Sequence, residues 1–120
     1  MYWKKKVAGL RYAITGLRIA WREESNFRFE VACAVLVILL AFFLDLPQSE
    51  FLIVIFAIGF ILTAEAFNTA LEELCDKFQP THDPHIARIK DLAAAAVFIS
   101  AITALVIGLI IFTPRLLALI

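Results

Sequence analysis

The chain is 120 residues long, 62% hydrophobic and only 18% charged, with a mean hydropathy of +0.89, against roughly 45–50% apolar residues in ordinary soluble domains. A water-soluble fold of this size lacks the polar residues to cover that surface, so the composition excludes disorder, a collagen repeat and a disulfide scaffold and points to an integral membrane protein. Eleven basic residues balance eleven acidic ones, so no bulk field argues for nucleic acid and the placement of the charges matters more than their sum.

The amino-terminal segment, about residues 1–28, is amphipathic. Trp3, Val7, Leu10, Ile14, Leu17 and Trp21 recur at steps of four and three, while Lys4, Lys5, Arg11, Arg18 and Arg22 occupy the other faces. An apolar stripe with aromatic ends and basic flanks describes a helix lying in the membrane interface. The basic residues interrupt any continuous apolar run, so a cleaved secretory signal fits poorly.

Three apolar runs follow, at about 31–46, 51–70 and 92–113. The third, about 22 residues at about 1.5 Å each, reaches about 33 Å and spans a hydrocarbon layer of roughly 30 Å without help. The first two are shorter as purely apolar stretches and are compatible with a buried hairpin, but their Leu, Ile, Val and Phe density favours spans that end in polar residues. The expectation is a single all-α membrane domain over 1–120, with three transmembrane helices behind an interfacial one. The first connection, Asp45 to Glu50, holds Pro47 as a helix breaker and Ser49 as a candidate N-cap. It contains no Lys or Arg. Lys77, Arg88 and Lys90 lie between the second and third runs, and seven basic residues precede residue 29, which places the amino terminus and the second connection in the cytoplasm. Arg115 is the exception, on the outer side. Cys33 and Cys75 have no CxxC spacing and read as packing residues, with an intersubunit disulfide or a metal role as the alternatives.

The chemistry concentrates at the end of the second run. Asp in mid-span costs about 2.5–3.5 kcal/mol on insertion scales, so a group of acidic residues on one apolar helix calls for a functional reason. Glu65, Asn68, Glu72 and Asp76 are spaced three, four and four and share one helix face. This ladder of oxygen ligands suits a hard cation such as Mg²⁺ better than zinc, and Mg²⁺ binds together with phosphate. Glu65, deepest in the layer, is placed to take a proton from an alcohol at the membrane surface. A polar helix interface without chemistry uses the same residues. Lys90 and Asp91 stand at the start of the third run, the lysine suited to phosphate charge and the aspartate to capping a helix or orienting the lysine. Glu23, Glu24 and Glu30 flank Asn26, Phe27 and Arg28 near the same interface. His82 and His85 read as solvated loop residues, and the isolated glycines at 9, 16, 59 and 108 form no phosphate loop.

The string Glu65-Ala-Phe-Asn68-Thr69-Ala70-Leu71-Glu72-x-x-Cys75-Asp76 resembles the signature of the small bacterial membrane lipid kinases, the prokaryotic diacylglycerol kinase and undecaprenol kinase family. Gly16-Leu17-Arg18-x-Ala20-Trp21, Glu24 with Asn26-Phe27-Arg28, and Lys90-Asp91-Leu92-Ala93-Ala94-Ala95-Ala96-Val97 extend the similarity over most of the chain. The resemblance implies a homotrimer in the bacterial cytoplasmic membrane with active sites shared between subunits, ATP as co-substrate, and a membrane lipid alcohol as acceptor. It implies Glu65 as general base, Glu24 and Glu72 as holders of Mg²⁺, and Asn68, Asp76, Lys90, Asp91, Lys5 and Tyr12 around the nucleotide. Arg18, Trp21, Asn26, Phe27, Arg28 and Glu30, with Glu65, would line the lipid side. Thr81-His82-Asp83 departs from the Glu-Tyr-His common in relatives and puts nucleotide contacts there in doubt. Asn26-Phe27-Arg28 and the Pro80/Pro84 connection resemble the undecaprenol branch, whereas Glu30 resembles the diacylglycerol branch.

Two other classes use the same residues: a small oligomeric cation channel or transporter lined by Glu65, Asn68 and Glu72, and a non-catalytic membrane scaffold. The channel gives Lys90, Asp91 and the acidic residues from Glu23 to Glu30 no role.

Overall fold

A computed structural model describes residues 2–78 and 83–120, and these are helical nearly throughout, with no strand among them. The order is α1 (Tyr2–Glu23), α2 (Ser25–Phe43), α3 (Gln48–Phe78) and α4 (Pro84–Leu117). Helices α2, α3 and α4 are each long and apolar enough to cross a membrane, with mean hydropathies of 2.0, 2.1 and 2.7 over their most apolar windows. At 31 and 34 residues, α3 and α4 are about 46 and 51 Å long, well beyond the roughly 30 Å of a hydrocarbon core. The runs at 51–70 and 92–113 are thus the apolar centres of longer helices. The polar continuations, Leu71–Phe78 of α3 and Pro84–Asp91 of α4, project together past the same end.

Each helix boundary has a local cause. The amphipathic segment does not continue to residue 28: the chain leaves the helix at Glu24, which is extended (φ −111°, ψ 104°), and α2 starts at the next residue. Three of the carbonyls that end α1 are nevertheless satisfied. The Ala20 carbonyl accepts from the Glu24 N–H at 3.0 Å, and Arg28 donates through Nη1 to the Trp21 and Arg22 carbonyls at 2.6 and 3.1 Å. Helix α2 ends before Pro47. Asp45 adopts a left-handed φ of 53°, its N–H donates to the Phe42 carbonyl and that of Leu46 to the Ala41 carbonyl, both at 3.1 Å, which is a Schellman closure. Ser49 is not the cap of the next helix. It lies inside α3, and the Pro47 carbonyl accepts the first helical bond from Phe51 at 3.0 Å. Asp91 is not a cap either, because α4 begins a full two turns earlier: the Asp83 carboxylate accepts from the His85 and Ile86 N–H groups at 2.8 and 3.1 Å, with Pro84 at the first helical position.

The helices form a row, α1 on α2, α2 on α3 and α3 on α4, with the closest pairing between α3 and α4. Most buried positions of the spans are small, Ala41, Ala57, Cys75, Ala93 and Ser100, and small side chains let helix backbones approach. The fully buried Ser100 hydroxyl donates back to the Val97 carbonyl at 2.7 Å, so it leaves no unpaired donor in the interface. Large apolar side chains such as Phe56, Phe98 and Ile110 face outward, as lipid-facing residues do. Helix α1 buries no residue, so its stripe of Trp3, Leu10, Leu17 and Trp21 is uncovered by the chain itself. At the end opposite the polar continuations, Arg115 bonds the Glu50 carboxylate through Nε and Nη2 at 3.1 and 2.5 Å. The basic residue out of place in the charge pattern thus has a fixed partner on α3. Cys33 is exposed and Cys75 buried, both as free thiols.

Candidate active site

Helix α3 carries the polar ladder on one face. Glu65 is buried, at 4% exposure, Asn68 and Glu72 are half-buried, and the Asp76 side chain is 64% exposed. The ladder therefore climbs from the helix interface to water. The spacing of four is realised as contact: Asn68 Nδ2 donates to Glu72 Oε1 at 3.2 Å. The other polar atom of that amide, Asn68 Oδ1, is buried without a partner.

Two further carboxylates come to this face from the start of α2. Glu24 and Glu72 both lie within electrostatic reach of Glu65, and Glu65 within reach of Glu30. Glu65 on α3 thus lies within electrostatic range of Glu72 on the same helix, Glu30 on α2 and Glu24 at the α1–α2 junction. The kink at Glu24 is what brings this about: α2 begins there with no side-chain cap from Glu24, which leaves its carboxylate available to the cluster. Glu30 Oε2, like Asn68 Oδ1, is buried and unpartnered. Among the described residues the ion pairs are Lys90–Asp76 and Arg115–Glu50, so none of the four clustered carboxylates has a basic partner within bonding distance. Like charges gathered at low dielectric repel, and unpaired buried acceptors are costly. The arrangement is suited to a group that brings positive charge and donors with it.

Helix α4 adds a cation at the outer end of the ladder. Lys90 Nζ bonds Asp76 Oδ1 at 2.5 Å; its partner is on α3, not the adjacent Asp91. Lys90 stands outside the apolar run that begins at Leu92, at the polar end of α4. The hydrogen bond from Lys90 to Asp76 is the largest of the causes that raise its pKa above the ordinary lysine value; desolvation, next in size, opposes it, and the charges of Asp76, Cys75 and Glu72 add to the rise. Lys90 is therefore a fixed cation facing the upper part of the ladder. Asp91 is exposed beside it. His85 is exposed on the first turn of α4, while Pro80, Thr81 and His82 lie outside the described residues.

The remaining expected site residues are spread along α1 and its junction. Trp21, Arg18, Tyr12 and Lys5 are all exposed, and a helical rise of about 1.5 Å per residue puts Tyr12 about 18 Å and Lys5 about 28 Å from Glu24 along the axis. Asn26 is exposed on the first turn of α2 and Phe27 is buried beneath it. Arg28 is engaged with the α1 carbonyls.

One feature is absent from any local reading of the sequence. A groove of about 620 Å³ runs over α3 between α2 and α4, lined by apolar side chains that include Val37, Ile58, Leu62, Leu105 and Phe112. Glu30 is its single charged wall residue. The three helices that form it meet only in the tertiary fold, so periodicity carries no trace of it.

Among the described residues no three His, Cys, Asp or Glu side chains are close enough to enclose a metal ion. A pair of carboxylates is what Mg²⁺ requires, since it keeps waters and phosphate oxygens in its other positions. The all-oxygen donor set and the free acceptor of Asn68 beside Glu72 fit that ion.

The chain matches the sequence model of the prokaryotic diacylglycerol kinase family over residues 11–112. It is 38% identical over 95 residues to the undecaprenol kinase of Bacillus subtilis, covering 79% of this chain and 77% of that protein. It is 32% identical over 101 residues to the diacylglycerol kinase of Escherichia coli strain K12, covering 84% and 81%. Against the diacylglycerol kinase of Haemophilus influenzae it is 32% identical over 103 residues, covering 85% and 87%. The chain belongs to the prokaryotic diacylglycerol kinase family and is a lipid kinase.

Proposed function

We propose that the chain transfers the terminal phosphate of ATP directly to the hydroxyl of a membrane lipid alcohol, diacylglycerol or undecaprenol, with Glu65 as general base. The observation that carries this reading is the acidic neighbourhood of Glu65, which feels Glu24, Glu30 and Glu72, together with an apolar groove that has Glu30 in its wall and two buried acceptors left open. A lipid alcohol has both an apolar chain for such a groove and a hydroxyl that donates to an unpartnered carboxylate oxygen. Glu65 lies where the helix interface gives way to the polar ladder, so it can accept the hydroxyl proton as the oxygen attacks phosphorus in line.

Glu24 and Glu72 would hold Mg²⁺, which would supply positive charge against the phosphates of ATP. Asn68 fixes Glu72 through its amide and orients a ligand with its free oxygen. Asp76 holds Lys90 toward the phosphates, and Asp91 stands beside it. Trp21, Asn26, Phe27 and Glu30, with Arg18, border the lipid side. Phosphoryl transfer asks a protein mainly for positioning and charge stabilisation, and this small constellation supplies both without a soluble nucleotide fold.

Lys5 and Tyr12 lie far along α1 from Glu24 of their own chain. Their expected role is met in a homotrimer in which α1 of one copy lies beside the carboxylates of another. The charge pattern puts the amino terminus, the polar ends of α3 and α4 and hence the site at the cytoplasmic face of the bacterial inner membrane, where ATP is supplied. The reading is tested by offering diacylglycerol and undecaprenol separately to purified protein with Mg²⁺ and radiolabelled ATP. Label in either lipid supports it and names the substrate. Label in neither, from folded oligomeric protein, contradicts it and returns the carboxylates to the channel reading.

A further inference from the structure

The junction between α1 and α2 holds a side chain whose contacts give it a different task from touching substrate. The last turn of α1 includes the carbonyls of Ala20, Trp21 and Arg22, of which only the first keeps a helical donor four residues on. The first is closed by the Glu24 N–H at 3.0 Å. The other two are closed by one nitrogen, Arg28 Nη1, at 2.6 and 3.1 Å. The Arg28 backbone N–H in turn donates to the Glu24 carbonyl at 3.2 Å. Arg28 therefore grips the chain on both sides of Glu24, the single non-helical residue between two helices.

Such a clasp has a physical purpose at a membrane boundary. Helix-end carbonyls are expensive to leave unpaired where water is scarce, and without a donor from outside the helix they would be paired most simply by continuing α1 through residue 24. Continuation would turn the Glu24 side chain with the helix and carry it away from Glu65. A guanidinium bonded to the carbonyls makes the break self-sufficient and fixes the angle from which Glu24 enters the cluster. The charge also lies at the carboxyl end of α1, where the helix dipole favours a cation.

We propose that Arg28 is a positioning residue: by closing the carbonyl end of α1 it holds the Glu24 carboxylate in place to bind the divalent cation. The inference rests on the reading of Glu24 as a ligand of Mg²⁺. It assigns Arg28 to the metal side of the site through Glu24, where resemblance alone places it on the lipid side.

The test uses the full-length chain in detergent, with Mn²⁺ as a paramagnetic stand-in for Mg²⁺ and a non-hydrolysable ATP analogue, and reads bound Mn²⁺ by electron paramagnetic resonance. Arg28→Gln should weaken Mn²⁺ binding on the order of ten-fold, the loss typical when a group supporting a metal ligand is removed, while the KM for lipid is unchanged. Arg28→Lys, which retains a donor but not the planar fork, should recover part of the affinity and serves alone if the glutamine variant does not fold. In a Glu24→Gln background Arg28→Gln should add no further loss, because the two act as one unit. Unchanged Mn²⁺ affinity with a raised lipid KM would overturn the proposal in favour of a lipid contact, and additive losses would overturn the route through Glu24. A parent protein that binds Mn²⁺ with nucleotide but phosphorylates no lipid contradicts the proposed function alone, and the same Mn²⁺ measurements still decide the role of Arg28.

Discussion

Glu65 and Asp76 are the two ends of one ladder, and their surroundings assign them different work. Glu65, almost wholly buried, lies within electrostatic range of three other carboxylates. Glu65→Gln keeps the size and loses the base, so phosphate transfer should fall by about 10²–10⁴-fold while Mn²⁺ and nucleotide still bind, a split read by transfer kinetics beside binding. Asp76 is exposed and tied to Lys90. An exposed pair of this kind is screened by water and contributes little to stability, so Asp76→Asn should leave thermal unfolding nearly unchanged. Its cost should appear as a raised KM for ATP with the lipid KM intact. A change in unfolding with no change in KM would make the pair structural. The ladder itself is legible in sequence because a step of three or four residues on a helix is a statement about one face. The partner of Lys90 is not, since Asp76 is on another helix and nothing in the local spacing of either residue points to the other.

At the scale of the helices, the ends show what local chemistry reveals and what it hides. The apolar runs locate α2, α3 and α4, yet their limits come from groups outside the runs. Asp83 followed by Pro84 is a recognisable start signal, and it governs α4 in place of Asp91 because the first helical amides need an acceptor at the true boundary. Asp83→Ala should destabilise this start by about 1 kcal/mol, seen as faster amide hydrogen exchange at His85 and Ile86 and not deeper in α4. Asp45 is the reverse case. It sits in a left-handed conformation more often filled by glycine or asparagine, so its sequence gives little notice of the Schellman turn. Asp45→Gly should raise the midpoint of unfolding, relieving strain of about 1 kcal/mol; a lowered midpoint would show that the carboxylate makes a stabilising contact. The break at Glu24 is the least legible of all, because the apolar stripe of α1 runs up to it and the bonds that stabilise it come from Arg28, a turn into the next helix.

The whole molecule is a flat row of helices, 54 × 43 × 22 Å, with its acidic cluster and its lysine at one end and the Glu50–Arg115 pair at the other. Flatness leaves α3 with one face open as the groove, and it leaves the apolar faces of the outer spans to lipid or to further copies. Composition and runs are sufficient to identify the membrane fold, but the groove needs all three spans in register and so belongs to the tertiary structure alone. If Glu24 and Glu72 hold the metal, stripping divalent cations with a chelator should stop transfer and leave the helical fold intact, with activity restored by Mg²⁺; unfolding under the same treatment would assign the ion a structural role. The central claim is that these carboxylates perform phosphate transfer to a lipid hydroxyl with Glu65 as the base. The measurement that tests it most directly is label transfer from ATP to diacylglycerol and to undecaprenol by the parent and by Glu65→Gln, both shown to bind nucleotide. The account predicts a labelled lipid with the parent and essentially none with the variant. Equal labelling by the two proteins would contradict it.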